Sequence, residues 1–508
     1  MFARKKRNKT GSVSIQLIDK KDGCFRVVQT LGCSKDPDEI EKIWQHSQQI
    51  LHSENPLQTK LFATEPAEDL IVKNTVEQFS NQQICTIGPE LIFGTLFDRL
   101  GFNSIPDKLF RHIVIARLAY PGSKLKTVDY LYRYQGISVT ADSIYRFLDT
   151  LNDKYKETAE QISYAHTKKV VGKISVVFYD MTTLYFETED EDDLRKIGFS
   201  KDGKFQNPQI MLGLLVGKEG YPIGYDIFPG NTVESHTLIP ILQNIQKKYG
   251  FKKPVVIADA GLLSKNNIEE LIRKKYKFII GARIKNETVA IQEKIFQEAE
   301  NIKDGQTFIL KKSNGTRLVV SYTSSRARKD AFNRERGLKK LREKVKTGKL
   351  TKSSINNRGY NKFLVLEEKV KVSIDEGKLE AEKRWDGLKG YITNSRLSAD
   401  KIIKNYRELW QIEKAFRISK TDLRVRPIHH FKEKRIRAHI CIAFVAYSIY
   451  KELERQLKKK KVDISPKRAA ELTHTMYQLQ FTLPISKQVH TITLKMDLDQ
   501  QQIYNAVF

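Results

Sequence analysis

Three acidic residues stand in sequence contexts where an acid is unusual. Asp180 and Asp259 each lie at the end of a strand-like apolar run, in ISVVFYD and PVVIADAG. Glu413 interrupts a series of apolar and aromatic residues whose spacing is typical of the buried face of a helix. Either aspartate alone is explained by a turn or a helix cap, but a carboxylate on a buried face is costly unless a cation, a metal or a donor meets it. We therefore predict that the three acids form one site.

The helix predicted around Glu413 carries two more residues suited to such a site. The series consists of Ile402, Tyr406, Leu409, Trp410, Glu413, Phe416 and Lys420. Tyr406, Glu413 and Lys420 recur at intervals of seven, so they share one face of the helix with a drift of about 20° per step. Arg417 follows Glu413 by one turn, and an ion pair between these two is the purely structural alternative.

Carboxylates grouped with a tyrosine and a lysine suit phosphoryl transfer assisted by two metal ions. Mg²⁺ prefers carboxylate oxygens and keeps several waters, so a few acids and a substrate phosphate suffice to bind it. Two such ions, about 3.5–4 Å apart, activate a water or a 3′-hydroxyl and stabilise the leaving oxygen. We expect Mg²⁺ as the cofactor, with Mn²⁺ as a substitute. No histidine or cysteine cluster competes in the sequence, since we interpret His429-His430 as an isolated surface or backbone-contacting pair.

The chain as a whole is strongly basic. Its 508 residues include 89 Lys and Arg against 60 Asp and Glu, a formal net charge of +29. Segment 326–352 has twelve basic and three acidic residues, and segment 404–437 has eleven and four. Each segment is either a solvated helix face or a phosphate-binding surface, and two of them in one basic chain favour nucleic acid. Because no apolar run reaches about 20 residues and no signal-peptide core is found, we expect a cytoplasmic protein without a membrane partner.

Helical spacing dominates the chain before the first aspartate. Segment 12–33 reads as two strands and 37–52 as a helix, and 75–168 is helical throughout. Residues 124–153 contain a helix–turn–helix pattern in which Thr140 caps the second helix. One interpretation places Ser143 and Arg146 against DNA, and the other is an ordinary helical hairpin.

Strands alternate with helices beyond residue 174. The pattern predicts three strands, then helix, strand, helix and strand, over 174–180, 208–217, 221–228, 236–250, 254–261, 266–276 and 277–282. This order indicates an α/β sheet. Residues 284–397 break the pattern and read as an inserted subdomain, after which helices resume at 398–420 and at about 435–457.

The motifs around the three acids resemble those of bacterial insertion-sequence DDE transposases. The resemblance rests on VVFYDMTTLYFE, VVIADAGLLS, YRELWQIEKAFRISKTDLRVRPIHH, GFSKDGK, YPIGYDIFPGNTVESHTL and RWDGLKGYITN. More narrowly, the glutamate segment is similar to the group marked by a Tyr-Arg-Glu-Lys signature. Tyr406, Glu413 and Lys420 match that signature, whereas Leu409 stands in the arginine position, for which Arg407 or Arg417 is a substitute.

This resemblance implies a fold and a set of roles. The fold is α/β: a ribonuclease-H-like catalytic core with a β-rich insertion, preceded by a mainly helical DNA-binding region. Asp180, Asp259 and Glu413 would hold the catalytic metals, and Tyr406 and Lys420 would hold phosphates near the cleaved end. The domains expected are an N-terminal strand pair and helix, a helical region, the first part of the core, the insertion, the glutamate helix and a C-terminal tail, over 1–60, 61–168, 169–283, 284–397, 398–457 and 458–508.

The resemblance also implies the reaction and its partners. The enzyme would bind double-stranded DNA at the terminal inverted repeats of its element, cleave the ends and transfer the 3′-hydroxyl strand to target DNA, as a homodimer in a synaptic complex. It would be bacterial and associated with the nucleoid. Trp385 would either stack on a base or be buried. Two alternatives stay open: a catalytically inactive DNA-binding protein on the same scaffold, and an aspartyl-phosphate phosphatase with Asp180 as nucleophile, although Thr182 stands where that class needs an acid.

Overall fold

The computed structural model of the protein describes most of the chain. The described residues are 1–21, 23–54, 67–77, 79–250, 252–347, 355–356, 359–367, 371–483 and 486–508. They divide into two compact units: Met1–Gln83 with Gln480–Thr491, and Ile84–Leu479 with Ile492–Phe508. None of the described helices combines the length and the apolar character needed to cross a bilayer.

The first unit contains a small antiparallel sheet. Strands β1 (Phe2–Arg7), β2 (Val13–Lys21) and β3 (Cys24–Ser34) pair in the order β1-β2-β3, and helices α1 (Pro37–Glu54) and α2 (Ala67–Glu77) follow. The two strands predicted over 12–33 and the helix after them are therefore confirmed. Strand β1 is an addition, because its basic sequence FARKKR has no apolar alternation to reveal it.

The second unit begins with a helical region that confirms the predicted spacing. After strand β4 (Ile84–Thr86) come helices α3 (Thr95–Leu100), α4 (Lys108–Ala119), α5 (Lys124–Gln135), α6 (Ala141–Thr150) and α7 (Lys156–Val171). Short polar side chains begin several of them, since Asp107, Ser123 and Thr140 each accept a hydrogen bond from a backbone N–H of the first turn. Helices α5 and α6 are those of the predicted helix–turn–helix pattern.

Strands and helices then alternate in the predicted order. The elements are β5 (Val176–Tyr185), β6 (Gln209–Val216), β7 (Pro222–Pro229), α8 (Leu238–Tyr249), β8 (Val255–Ala258), α9 (Lys265–Arg273) and β9 (Lys277–Ala282). One bound differs from the prediction: β5 continues five residues past Asp180, because residues 181–185 pair with β6. Asp180 therefore lies within a strand and not at its end.

The segment after β9 is also described, except within 348–370. It comprises α10 (Val289–Ala299), β10 (Thr307–Lys311), β11 (Arg317–Tyr322), α11 (Ser324–Lys346), β12 (Leu364–Glu367), β13 (Lys371–Ile374), α12 (Glu376–Lys383) and β14 (Leu388–Thr393). Helix α11 carries most of the basic segment 326–352, and residues 348–352 of that segment lie outside the described residues.

One mixed sheet organises the second unit. Its eight strands run in the order β10-β11-β14-β9-β8-β5-β6-β7, with β5, β8 and β9 mutually parallel and the other pairs antiparallel. The centre is buried on both faces, as every residue of β6 shows. The predicted β-rich insertion contributes the strands β10, β11 and β14 to this sheet. Its strands β12 and β13 form a separate two-stranded sheet.

The helix predicted over 398–420 is interrupted. Helix α13 (Ala399–Arg407) ends before Glu408 and Leu409, and α14 (Trp410–Arg417) leads into a π-helical turn over Ile418–Asp422. The interruption rotates the second half, so the prediction that Glu413 faces the core is wrong: Glu413 and Trp410 are exposed, and Gln411, Ile412, Ala415 and Phe416 are buried instead. The remaining elements are α15 (Glu433–Lys459), α16 (Pro466–Thr473), β15 (Tyr477–Thr482), β16 (Val489–Thr493) and α17 (Leu498–Val507).

Candidate active site

The two aspartates stand side by side on neighbouring parallel strands. The register pairs Tyr179 of β5 with Ala258 of β8, and these are the last paired residues of the two strands. Asp180 and Asp259 follow them directly. Because the two strands are parallel and in register at this point, the residues that follow the last shared pair are neighbours, and the charge of Asp259 acts on the pKa of Asp180. The sequence prediction that these two acids share a site agrees with this placement.

A lysine and a fourth acid surround Asp180. The Lys201 ammonium lies 3.9 Å from the Asp180 carboxylate and 2.8 Å from that of Glu234, and it donates to the Met181 carbonyl at 2.7 Å. Partial burial, together with the charges of Glu234 and Asp259, raises the pKa of Asp180 to about 6 despite Lys201. The site therefore holds an excess of negative charge that one lysine does not cancel.

Tyr406 connects the end of helix α13 to Asp259. Its hydroxyl donates to an Asp259 carboxylate oxygen at 2.9 Å. A side chain at Gly281 of β9 would collide with that hydroxyl, so the glycine leaves the space that the contact requires. Burial and the neighbouring Asp259 raise the pKa of Tyr406 far above its ordinary value, which keeps the hydroxyl protonated and able to donate.

Glu413 reaches the same region from α14. Its charge acts on the pKa of Tyr406 and of Lys389, as the charge of Asp259 also does. The Lys389 ammonium lies 4.7 Å from the centre of the Tyr406 ring. Burial and the nearby Arg326 and Arg407 lower the pKa of Lys389, while the two acids oppose that shift. Lys389 is thus a cation close to Asp259 and Glu413, as Lys201 is a cation close to Asp180 and Glu234.

Lys420 is engaged by an acid next to Lys201. Its ammonium donates to Asp202 at 3.1 Å, and the Arg426 guanidinium lies 2.8 Å from the same carboxylate. Burial lowers the pKa of Lys420 although Asp202 opposes the shift. Lys420 therefore lies near the carboxylate site, bound to a carboxylate where a phosphate would compete.

The structure separates the other predicted site residues. Arg407 is exposed and its charge reaches Lys389, whereas the exposed Arg417 acts on Tyr450, away from the acids. Leu409 is buried. Trp385 is also buried, with its ring 4.5 Å from that of Phe296, which is the second of its two predicted states.

The helix–turn–helix residues are accounted for locally. Thr140 and Ser143 form a reciprocal capping box at the start of α6, so the Ser143 hydroxyl is used by the backbone. Arg146 is exposed and forms an ion pair with Asp142 at 3.0 Å. The expectation that His429-His430 lies at the surface is correct for His429 and wrong for His430, which is buried beside Tyr145 and His439.

Sequence reasoning missed Lys201, Asp202, Glu234, Gly281 and Lys389. Four of them had a signal, because Lys201 and Asp202 lie in GFSKDGK, Glu234 in YPIGYDIFPGNTVESHTL and Lys389 in RWDGLKGYITN. Each of those motifs combines glycine with charged residues, a composition typical of loops that position functional groups. Gly281 stands in a plain apolar strand and gives no such signal.

The site was tested against the metal ions that its acids suggest. Within the described residues, no three acidic, histidine or cysteine side chains converge closely enough to bind one ion. The chemistry of the donors nevertheless fits a hard divalent cation, since all are carboxylates. Burial chiefly, and the neighbouring Glu234 and Asp259 in addition, raise the pKa of Asp180, and a bound cation would stabilise its charged form. Asp180, Asp259 and Glu413 are therefore suited in kind to hold such an ion.

The matched family agrees with this fold. The family model described as a transposase DDE domain matches residues 171–449, which is 279 of the 508 residues. The chain belongs to this family. Its mixed sheet with flanking helices is consistent with the ribonuclease-H-like core of a DDE transposase, with a helical region before it.

Two solved structures are also similar. One is a piggyBac transposase synaptic complex with hairpin DNA, solved by cryo-EM, with a TM-score of 0.39 and 9% identity, covering 76% of this chain and 78% of that chain. The other is a Mos1 transposase paired-end complex with the left transposon end, with a TM-score of 0.16 and 12% identity, covering 33% and 56%. The comparison with curated proteins gives no match.

Proposed function

We propose that the chain is a DNA transposase that binds the inverted repeats of its element, cleaves the DNA ends and joins the 3′-hydroxyl strand to target DNA. The observation that carries the proposal is the pair Asp180 and Asp259, which follow the last residues paired between the parallel strands β5 and β8. Membership of the DDE-domain family supports it. The narrower grouping, bacterial insertion sequences with a Tyr-Arg-Glu-Lys signature, rests on Tyr406, Glu413 and Lys420.

The acids would act through bound metal. Asp180, Asp259 and Glu413 would hold Mg²⁺, or Mn²⁺ in its place, and the bound ions would supply activation of the attacking hydroxyl and stabilisation of the leaving oxygen. Glu234 is a further acid close to Asp180, because Lys201 contacts both carboxylates.

The surrounding donors would position the DNA strand. Tyr406 stays protonated and donates its one hydrogen to Asp259, so a DNA phosphate would have to take over that hydrogen bond. Lys420 is charged and bound to Asp202, so a DNA phosphate would take over part of that contact. Arg407, next to Lys389, is better placed than Arg417 to replace the arginine of the signature.

The basic helix α11 would contribute a longer-range contact. Of its basic residues, Arg334 is committed to Asp386, with two hydrogen bonds of 2.5 and 2.6 Å. Arg336, Lys339, Lys340, Lys344 and Lys346 are all exposed. A row of exposed cations attracts the DNA backbone without regard to sequence. A homodimer would bring two such surfaces to the two ends of an element.

The test is strand cleavage by single-residue variants. Oligonucleotide duplexes that carry the ends flanking the gene are incubated with Mg²⁺ and the full chain, and nicking is measured on gels. We expect Asp180→Asn, Asp259→Asn and Glu413→Gln each to lower the rate by at least about 100-fold, because each removes a charged metal ligand. Asp193→Asn is the matched control, since Asp193 is exposed and is not one of the proposed metal-binding acids.

Two results would contradict the proposal. Cleavage that persists in the Asp180→Asn variant would remove the carboxylate site from the reaction. DNA binding without any cleavage by the wild-type chain would instead favour the alternative, a DNA-binding protein that has kept the scaffold and lost catalysis.

A further inference from the structure

A cavity in the second unit, separate from the carboxylate site, is lined by cations. Its volume is about 870 Å³, and it lies where helices α4 and α5 meet the segment 424–430 and helix α15. Arg117, Lys124, Arg424 and Arg426 line it together with four histidines, and none of the described residues that line it is acidic. The cavity therefore has a strong positive charge with no counterpart in its walls.

The charges at its centre are buried. Arg117 and Lys124 are 5% and 4% exposed, and the Lys124 ammonium has no hydrogen-bond partner in the described chain. His439 donates to the Val425 carbonyl at 2.9 Å through Nε2, while its Nδ1 is buried and also has no partner. Buried cations in folded proteins are normally paired, because an isolated buried ammonium is costly. Lys124 is the exception that needs an explanation.

The titration of these groups agrees with an unmet charge. Burial lowers the pKa of Lys124 well below its ordinary value, and Arg117 lowers it further. The pKa of His430 falls to about 3 through burial and the charges of Lys124 and Arg117. No carboxylate is among the main causes of these shifts. The cations repel one another in a space that an anion would make favourable.

The backbone adds to the same field. Ser123 caps helix α5 by accepting a hydrogen bond from the Lys126 N–H, and Lys124 is the first residue of this 12-residue helix. The first turn lines the cavity. A helix N-terminus carries a partial positive charge and free N–H groups, which bind phosphate oxygens. A phosphate matches a lysine, an arginine and a helix N-terminus together.

The cavity lies close to the carboxylate site, because residues of the two are joined by ion pairs and by neighbouring positions in the chain. Arg426 lines the cavity, and its guanidinium lies 2.8 Å from Asp202. Lys201, the residue before Asp202, reaches Asp180. The cavity and the carboxylate site are therefore neighbours, so one DNA strand could contact both.

We propose that this cavity binds a phosphate group of the DNA strand, held by Lys124, Arg117 and the N-terminus of helix α5. The proposal rests on the proposed function for the identity of its ligand. The site is distinct from the metal-binding acids, and it explains why a lysine without a partner is retained in the interior.

The first test uses pyrophosphate as a probe of the full chain. Thermal unfolding is followed with and without sodium pyrophosphate, at matched ionic strength, for the wild type and for Lys124→Met. Lys108→Met is the matched control, because Lys108 is also the first residue of a 12-residue helix but is exposed. We expect pyrophosphate to raise the unfolding temperature of the wild type and of Lys108→Met, and to have little effect on Lys124→Met. Equal stabilisation of Lys124→Met and the wild type would overturn the proposal.

The second test measures DNA binding against salt concentration. Replacing Lys124 should weaken binding about tenfold, since charge-assisted hydrogen bonds are strong, and should reduce the slope of log affinity against log salt by about 0.9, the value for one phosphate contact. Lys124→Arg keeps the charge and should retain binding. If Lys124→Met does not fold, Lys124→Gln replaces it, because its amide keeps a polar group in the cavity.

The outcomes separate the two proposals. Loss of the pyrophosphate effect in Lys124→Met with unchanged DNA affinity would overturn DNA as the ligand and point to a free phosphate compound. Neither test measures cleavage. Failure of the phosphate pocket would therefore leave the assignment of Asp180 intact, and loss of cleavage in Asp180→Asn says nothing about Lys124.

Discussion

Two charged regions of the second unit differ in how their buried charges are paired. At the carboxylate site, each acid that is partly buried has a cation nearby, as Asp180 has Lys201 and Asp202 has Lys420 and Arg426. In the cationic cavity, Arg117 and Lys124 are more deeply buried, and no described acid faces them. In the first region the chain supplies a cation close to each partly buried acid. In the second, none of the described lining residues supplies an acid.

This difference predicts opposite effects of charge removal on stability. Breaking a buried pair leaves a charge without its partner and is strongly destabilising, whereas removing a charge that never had a partner relieves a cost. A variant whose effect on stability has the opposite sign would contradict this difference.

The largest effect is expected for Asp202→Ala. Lys420 and Arg426 both bind this carboxylate, and the Lys420 side chain is only 11% exposed. Removing Asp202 leaves two neighbouring cations without an acid, so we expect the free energy of unfolding to fall by about 3 kcal/mol. Urea unfolding of the full chain measures it.

Two controls frame this prediction. Asp193→Ala, at an exposed acid, should change the free energy of unfolding by less than about 0.5 kcal/mol. Lys124→Met should leave it unchanged or raise it. If Lys124→Met instead destabilises the protein as much as Asp202→Ala does, the contrast between the two regions does not hold.

The second effect is a pH dependence that belongs to the cationic cavity. The pKa of His430 is about 3 in the folded chain, against an ordinary value of 6.5, so the unfolded chain binds a proton more readily between these values. Stability is therefore lost as the pH falls below 6.5. Between pH 7 and pH 5 the loss from this residue is about 2 kcal/mol.

The measurement compares the wild type with His430→Gln. Glutamine does not titrate, so the variant should lose about 2 kcal/mol less than the wild type over the same pH interval. His439 stays in both proteins, and burial remains the main cause of its lowered pKa, although His430 is one of the smaller causes. Identical pH profiles would mean that His430 is not held neutral by the cavity.

The sequence reveals these two regions unequally. Runs such as PQIMLGLLVG identify the buried strands, and Asp259 stands directly after one of them, so half of the carboxylate site could be read from local pattern. Asp180 was placed at a strand end because an acid normally ends an apolar run. Its strand continues only because β6 pairs with residues 181–185, which is a tertiary effect.

The glutamate helix shows the limit of periodicity. The spacing of Tyr406, Glu413 and Lys420 assumes one continuous helix, but the chain breaks at Glu408 and Leu409. Such a break changes the face of every later residue, so the exposed Trp410 and Glu413 could not be assigned from spacing alone. The prediction of a helical segment is correct, and the prediction of which residues in its second half are buried is wrong for Trp410 and Glu413.

The cationic cavity has no local pattern at all. Arg117 and Lys124 come from the helical region, whereas His430 and His439 come about 300 residues later in the chain. Each looks ordinary in its own segment. Only the packing of α4 against α15, with α5 against α4, brings them together, and that packing depends on apolar contacts that a single sequence does not specify.

The smallest effect tests the carboxylate site without changing its charge. Tyr406→Phe removes the hydroxyl that donates to Asp259 at 2.9 Å and keeps the ring in place. One hydrogen bond to a charged acceptor is lost, so we expect the free energy of unfolding to fall by about 1.5 kcal/mol. We also expect the cleavage rate to fall about tenfold. The matched control is Tyr391→Phe, because the Tyr391 ring lies 4.9 Å from that of Tyr406 but is not bonded to an acid of the site. If Asp259 depends on its donor for orientation, only Tyr406→Phe slows cleavage. Equal slowing in both variants would show that the tyrosine pair acts through packing, and the site would then differ from the cavity in charge balance alone.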